Sequence, residues 1–206
     1  MSLLDTVAAF SNDQSVAAFM GAFAAFSLVV VNDWRRNGQK VKNIAGEIQV
    51  NLSHAESKLE RVRYNRTMVR AHNTVLDGPF IRFGTPTIRQ LTAEVLSRLS
   101  SDQRGAIDAV CFGLEQADNI LDEIYSLARN LSVPLGHAQN VVITNKLLAG
   151  YESAIVQLNF TREMCGNYLA GDYKTVLTKK YARAQYEEPW VPPEGAAPAR
   201  APGSSD

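Results

Sequence analysis

The chain has 206 residues, with 21 Lys and Arg balanced by 21 Asp and Glu and a formal net charge of zero. That balance argues against a globally basic nucleic-acid binder and leaves only local charge to steer a partner. Cys111 and Cys165 are the two cysteines, far apart and without a Cys or His at ligand spacing, so a disulfide scaffold and a zinc site are both disfavoured. They read instead as small hydrophobes in a reduced compartment.

Residues 1–13 form a short tail whose side-chain charges are Asp5 and Asp13 alone. The uncharged run Gln14–Asn32 follows, apolar at Val16, Phe19, Met20, Phe23, Phe26 and Leu28–Val31. As a helix it would reach about 28 Å, close to the ~30 Å hydrocarbon core of a bilayer, so residues 14–33 are expected to be a transmembrane helix. A cleavable signal fits poorly. No Lys or Arg precedes the run, and it ends in Val-Val-Val-Asn without a small-x-small site. Trp34, Arg35 and Arg36, with Lys40 and Lys42 behind them, suit a cytoplasmic interface, which predicts a single-pass protein with its N-terminus outside, placed in a bacterial inner membrane. The alternative is a buried core helix of a soluble protein, because five alanines dilute the run. Ala17, Gly21 and Ala25 share one face at four-residue spacing and form a candidate self-association surface within the span.

From Val41 a seam runs Ala45, Ile48, Leu52, Ala55, Leu59, Val62, Arg66, Val69, Asn73, Leu76, alternating four- and three-residue steps. This is the period of a helix packed along one stripe, as in a coiled coil or long bundle. No proline falls between Asp33 and Gly78, so span and stalk can share one helix, with Gly38 and Gly46 as its soft points. Asp77-Gly78-Pro79 should stop it. Phe80, Ile81 and Phe83 come next in a turn, where they would plug the open end of a bundle or present a contact to another protein.

Thr85 as N-cap with Pro86 behind it predicts a short helix to about Leu99. Ser100 and Gln103 have capping-box spacing and open a third helix, with Ile107, Val110, Leu114, Ala117, Leu121, Ile124, Ala128 and Leu131 inward. Pro134 ends it. A last long helix, from about Leu135 to Ala170, carries Leu148, Tyr151, Ile155, Leu158, Arg162, Cys165 and Leu169 on one stripe and stops at Gly171. The fold class is therefore all-α: an N-terminal transmembrane helix continuing into an antiparallel, coiled-coil-like bundle of three long helices and one short one. The bundle should occupy 34–186, and the proline-rich stretch 187–206 should be a disordered tail.

Charge is patterned along the helices. Lys58, Arg61, Arg63, Arg66 and Arg70 face an acidic set on the third helix, Asp102, Asp108, Glu115, Asp118, Asp122 and Glu123, which suggests pairing that fixes register. Arg66 and Arg162 interrupt apolar stripes and need partners, expected among Glu115, Asp118 and Asp122, or must snorkel. A nucleic-acid patch lacks interleaved aromatics apart from Tyr64. The carboxylates of the third helix lack the Glu-x-x-His motifs of bundle metal sites, and His54, His72 and His137 supply none. After the last helix, Lys174, Lys179, Lys180 and Arg183 alternate with Tyr173, Tyr181, Tyr186 and Trp190. Lys179, Lys180 and Trp190 join Trp34, Arg35 and Arg36 as expected interface anchors.

No nucleophile–base pair, phosphate loop or ligand cluster stands out, so neither catalysis nor a cofactor nor a metal is expected. The expected role is a membrane-anchored interaction or scaffold protein, whose partners are the bilayer and another protein or itself. The alternative is a small membrane effector or pore former that oligomerises through its span.

Overall fold

The computed structural model describes residues 14–72, 78–131, 137–179 and 185–189. Residues 1–13, Asn73, Leu76, Asp77, Pro134, Lys180, Tyr181, Arg183 and Trp190 lie outside them, as does the stretch from 191 onward. Five helices and no strand are found among the described residues: α1 (Gln14–His72), α2 (Thr85–Glu94), α3 (Ser101–Leu131), α4 (His137–Leu169) and α5 (Tyr173–Thr178). The chain divides into two compact units, Met1–Asn43 and Ile44–Asp206. Helix α1 is uninterrupted at Gly38 and Gly46. The helical propensity of the flanking residues outweighs a cost of about 1 kcal/mol per glycine.

In the second unit, α1 buries Ile44, Ile48, Asn51, Ala55, Lys58, Leu59, Val62, Asn65, Arg66 and Val69, a stripe that keeps the four-and-three rhythm expected of it. Several of its members are polar. Val41, Ala45 and Leu52 sit at the stripe's margin, half-buried. On α3 the stripe from Ile107 to Ala128 is buried as the sequence predicts. Helix α4 departs from the one-stripe expectation, because every residue from Ala154 to Thr161 is buried. A helix covered all round must satisfy any polar side chain internally.

Helix direction follows from paired residues. The Gly113 carbonyl accepts hydrogen bonds from Gln157 Nε2 and Thr161 Oγ1, both at 3.1 Å, while a Cβ on Gly150 would stand 3.0 Å from Ile124 Cγ1. Thus α3 and α4 are antiparallel and approach closely at Gly113 and Gly150. Arg66 and Arg70 of α1 reach Glu152 of α4, each at 2.8 Å.

The ends are largely those the sequence specifies. Ser100 and Gln103 exchange reciprocal bonds of 3.0 and 3.1 Å, closing the capping box. Gly171, at φ +79°, gives the left-handed turn after α4, with its N–H on Tyr168 O and that of Asp172 on Asn167 O. Helix α2 differs: Gly84, not Thr85, caps it, since the Gly84 carbonyl accepts from Ile88 N and the Thr85 side chain turns into the core. It also ends at Glu94 and tightens into a 3-10 turn, Leu96–Arg98, ahead of an extended Leu99.

Three expectations need correction. Residues 78–84 do not close the end of the bundle but run back along α1, with Gly78 on Arg61 and Gly84 on Asn51. The acidic residues of α3 do not pair wholesale with α1. Lys58 of α1 bonds to Asp118, at 3.0 Å, whereas Asp122 takes Arg82 and Glu115 takes Arg89, because the returning segment and α2 lie between. Arg66 finds Glu152 on α4 instead of an α3 carboxylate, whereas Arg162 stays exposed, in line with the snorkelling alternative.

Candidate functional site

Three surfaces bear the residues singled out in the sequence. On the first, Phe19 is 70% exposed and Phe26 67%, with Met20, Phe23, Leu28 and Trp34 similarly bare. Helix α1 is long and apolar enough to cross a membrane, its most apolar window having a mean hydropathy of 1.5 and none of it buried. Ala17, Gly21 and Ala25 are exposed, and nothing stands within 4 Å of a Cβ placed on Gly21. Arg35 and Arg36 are exposed as well.

The second surface is the returning segment. Phe83 is 3% exposed, with the Lys58 ammonium 3.3 Å from its ring centroid, and its N–H donates to Asp118 at 2.9 Å. A ring buried under a lysine offers nothing to a partner. Phe80 is half-buried beneath the Arg61 guanidinium, 4.5 Å from the ring centroid, and Ile81 alone stands out, 80% exposed. Of the three expected contact residues, Phe83 is buried, Phe80 is half-buried and Ile81 is exposed. Burial pushes the Lys58 ammonium below its ordinary value, against the pull of Asp118.

The third surface was not anticipated. Arg63, Arg66 and Arg70 recur at three- and four-residue steps and so share one face of α1. Opposite them stand Glu152 and Asn159 of α4, and Glu188 lies between. Arg63 grips the Glu188 carboxylate with Nε at 2.7 Å and with a second, shorter bond from Nη2, while Asn159 Nδ2 donates to it at 2.8 Å. Arg66 Nη1 reaches the Glu188 main-chain carbonyl at 3.4 Å. The Arg63 guanidinium holds the Glu188 carboxyl below the usual carboxylate range.

Two residues earlier, the Tyr186 ring meets Phe160 edge-on at 5.6 Å, and its hydroxyl donates to Glu163 at 2.7 Å. Lys179 pairs with the same Glu163. An expected membrane anchor therefore spends its charge inside the protein. Glu187 and Glu188, assigned by composition to the loose tail, line this site. Its signal was present in the sequence as a basic face on α1, but the acidic partner was sought on the wrong helix.

The two cysteines are sealed in the interior. Burial pushes the Cys111 thiol up to about 11 and the Cys165 thiol up to about 12, leaving both protonated at neutral pH. No group of His, Cys, Asp and Glu among the described residues is arranged to hold a metal ion. Comparison with protein-family models, with curated proteins and with solved structures finds no match to this chain.

Proposed function

We propose that the chain is a single-pass, membrane-anchored helical-bundle interaction protein, held by residues 14–33 with its bundle on the cytoplasmic side. The observation that carries this reading is the bare apolar surface from Ala17 to Trp34. Burying one Phe or Leu side chain is worth roughly 1.5–3 kcal/mol, so leaving so many in water is untenable, while acyl chains cover them at no packing cost. Arg35 and Arg36 directly after the run support the orientation. The bundle then acts as a support that presents a binding surface, with no turnover.

Alkaline carbonate extraction of membranes carrying the full chain tests the anchoring. Retention in the pellet is expected, and release by Phe23→Asp with Val29→Asp should follow. A wild-type chain found in the supernatant would contradict it.

The open face at Ala17, Gly21 and Ala25 favours self-association within the bilayer as a second element of the reading. Gly21→Leu should abolish dimer crosslinking in intact membranes. If induced expression instead collapses the membrane potential and Gly21→Leu relieves that collapse, the effector reading replaces the scaffold.

A further inference from the structure

We propose that the Arg63–Arg66–Asn159 cradle is a receptor for an acidic segment of a partner protein, one with an aromatic ring two residues ahead of a glutamate, and that Tyr186–Glu188 fills it in cis as a resident competitor. The proposal rests on the interaction half of the function proposed above and gives that interaction a site.

The resident defines the ligand. Along residues 185–189 exposure alternates, with Gln185, Glu187 and Pro189 turned out and Tyr186 and Glu188 turned in. The backbone leaves a tight turn at Gln185–Tyr186 and continues irregularly, so the two inward residues act as separate anchors presented to one side. The glutamate anchor meets a guanidinium fork, the arrangement that selects a planar carboxylate, and the tyrosine anchor meets an aromatic edge and a carboxylate acceptor.

The fit is incomplete in two ways. A cavity of about 390 Å³ remains between the segment and α4, lined by Asn159, Arg162, Glu163 and residues 185–188. The Arg66 side chain, only 7% exposed, keeps its Nε–H without a hydrogen-bond partner among the described residues, and the Glu188 carbonyl reaches Nη1 at no better than 3.4 Å. A buried donor left unmade costs free energy that a better-placed acceptor recovers. The resident is therefore displaceable. Charge agrees: with Glu188 withdrawn, the three guanidinium groups of Arg63, Arg66 and Arg70 outnumber the carboxylates of Glu152 and Glu60 beside them, and the exposed cradle attracts anionic segments.

The test uses the full chain in detergent micelles and a fluorescein-labelled peptide with the sequence of residues 184–190, followed by fluorescence anisotropy. Tyr186→Ala with Glu188→Ala empties the cradle and should bind the peptide about tenfold or more tightly than wild type, because cis occupancy lowers the apparent affinity by the fraction of empty sites. Glu188→Gln, which keeps the shape of the segment, should also raise the affinity. Adding Arg63→Ala to the emptied chain should abolish binding, as should glutamine in the peptide at the position of Glu188.

Equal binding by wild-type and emptied chains overturns the proposal, and so does an emptied, fully helical chain that ignores the peptide. A wild-type dimer seen by light scattering and broken by Arg63→Ala would make a second copy the occupant, and would overturn the assignment to a partner protein. Carbonate extraction reads anchoring separately, so a chain that stays in the membrane yet refuses the peptide sinks the cradle alone.

Discussion

Lys58 illustrates how much a single position depends on residues remote in sequence. Read on α1 alone it belongs to a solvated basic face, yet Phe83 folds over its ammonium and Asp118 closes beside it, leaving the side chain 8% exposed. Asp118 bonds both this ammonium and the Phe83 N–H, so Asp118→Ala should strip two buried donors at once. Its cost should be about 3–5 kcal/mol in urea unfolding, the range for breaking one side of a buried ion pair. Lys58→Met, which leaves Asp118 its backbone donor and keeps most of the volume, should cost clearly less. Equal losses would contradict the account.

Titration follows the same logic of burial. Cys111 and Cys165 rise from 9.0 to about 11 and about 12, and Tyr151 and Tyr168 each rise from 10.0 to about 12. All four stay protonated in the folded state where the unfolded chain has released its protons, so their stability is intact below pH 9 and drains away as pH climbs toward 12. Lys58, depressed by burial, has the opposite sign: stability rises with pH between its folded value and 10.5. The four acids outnumber it, and the urea midpoint should fall steadily above pH 9. In acid, Glu163 and Glu188, both held below 4.5, contribute fully above that value and lose their hold on Lys179, Tyr186 and Arg63, and so on the segment 185–189, as pH drops through their folded values. Faster proteolytic nicking of that segment below pH 4.5 is the expected sign.

At the scale of elements, the α3–α4 contact turns on Gly113. Its missing side chain admits Thr161, whose Oγ1 would lie 3.3 Å from any added Cβ, and its carbonyl satisfies the buried Gln157 and Thr161 together. Gly113→Leu should therefore wedge the helices apart and cost on the order of 1–3 kcal/mol or more. Thr161→Val should cost only about 1 kcal/mol, because Gln157 still donates to the carbonyl. Thermal melts of the two variants check both, and a neutral Gly113→Leu would refute close approach there.

Helix existence, the α3 stripe, the Ser100–Gln103 box and the Gly171 stop were legible because each is specified locally, by periodicity or a turn residue. The path of residues 78–84 was not, since it depends on Arg61, Asn51 and Asp118 acting at a distance. Nor was the all-round burial of residues 154–161 in α4, which mix Gln157, Asn159 and Thr161 with apolar neighbours and so hide any stripe.

For the molecule as a whole, one helix joins chemistry of two kinds. From Ala17 to Val31 its side chains are mostly apolar and bare, and from Ile44 onward they are sorted into a buried stripe and a charged surface. That contrast was the plainest signal in the sequence, because an uncharged run of membrane length is unusual in a chain that is otherwise 20% charged. What the run could not reveal was the arginine cradle, whose occupant lies beyond the last long helix.

The most direct measurement is maleimide labelling of single cysteines introduced at Phe23 and at Gly38 in intact membrane vesicles. Cys111 and Cys165 stay silent, being buried and protonated. A bilayer-spanning α1 predicts that Phe23→Cys resists a water-soluble maleimide until detergent is added, while Gly38→Cys labels on cytoplasmic exposure. Rapid labelling of Phe23→Cys without detergent would contradict the account.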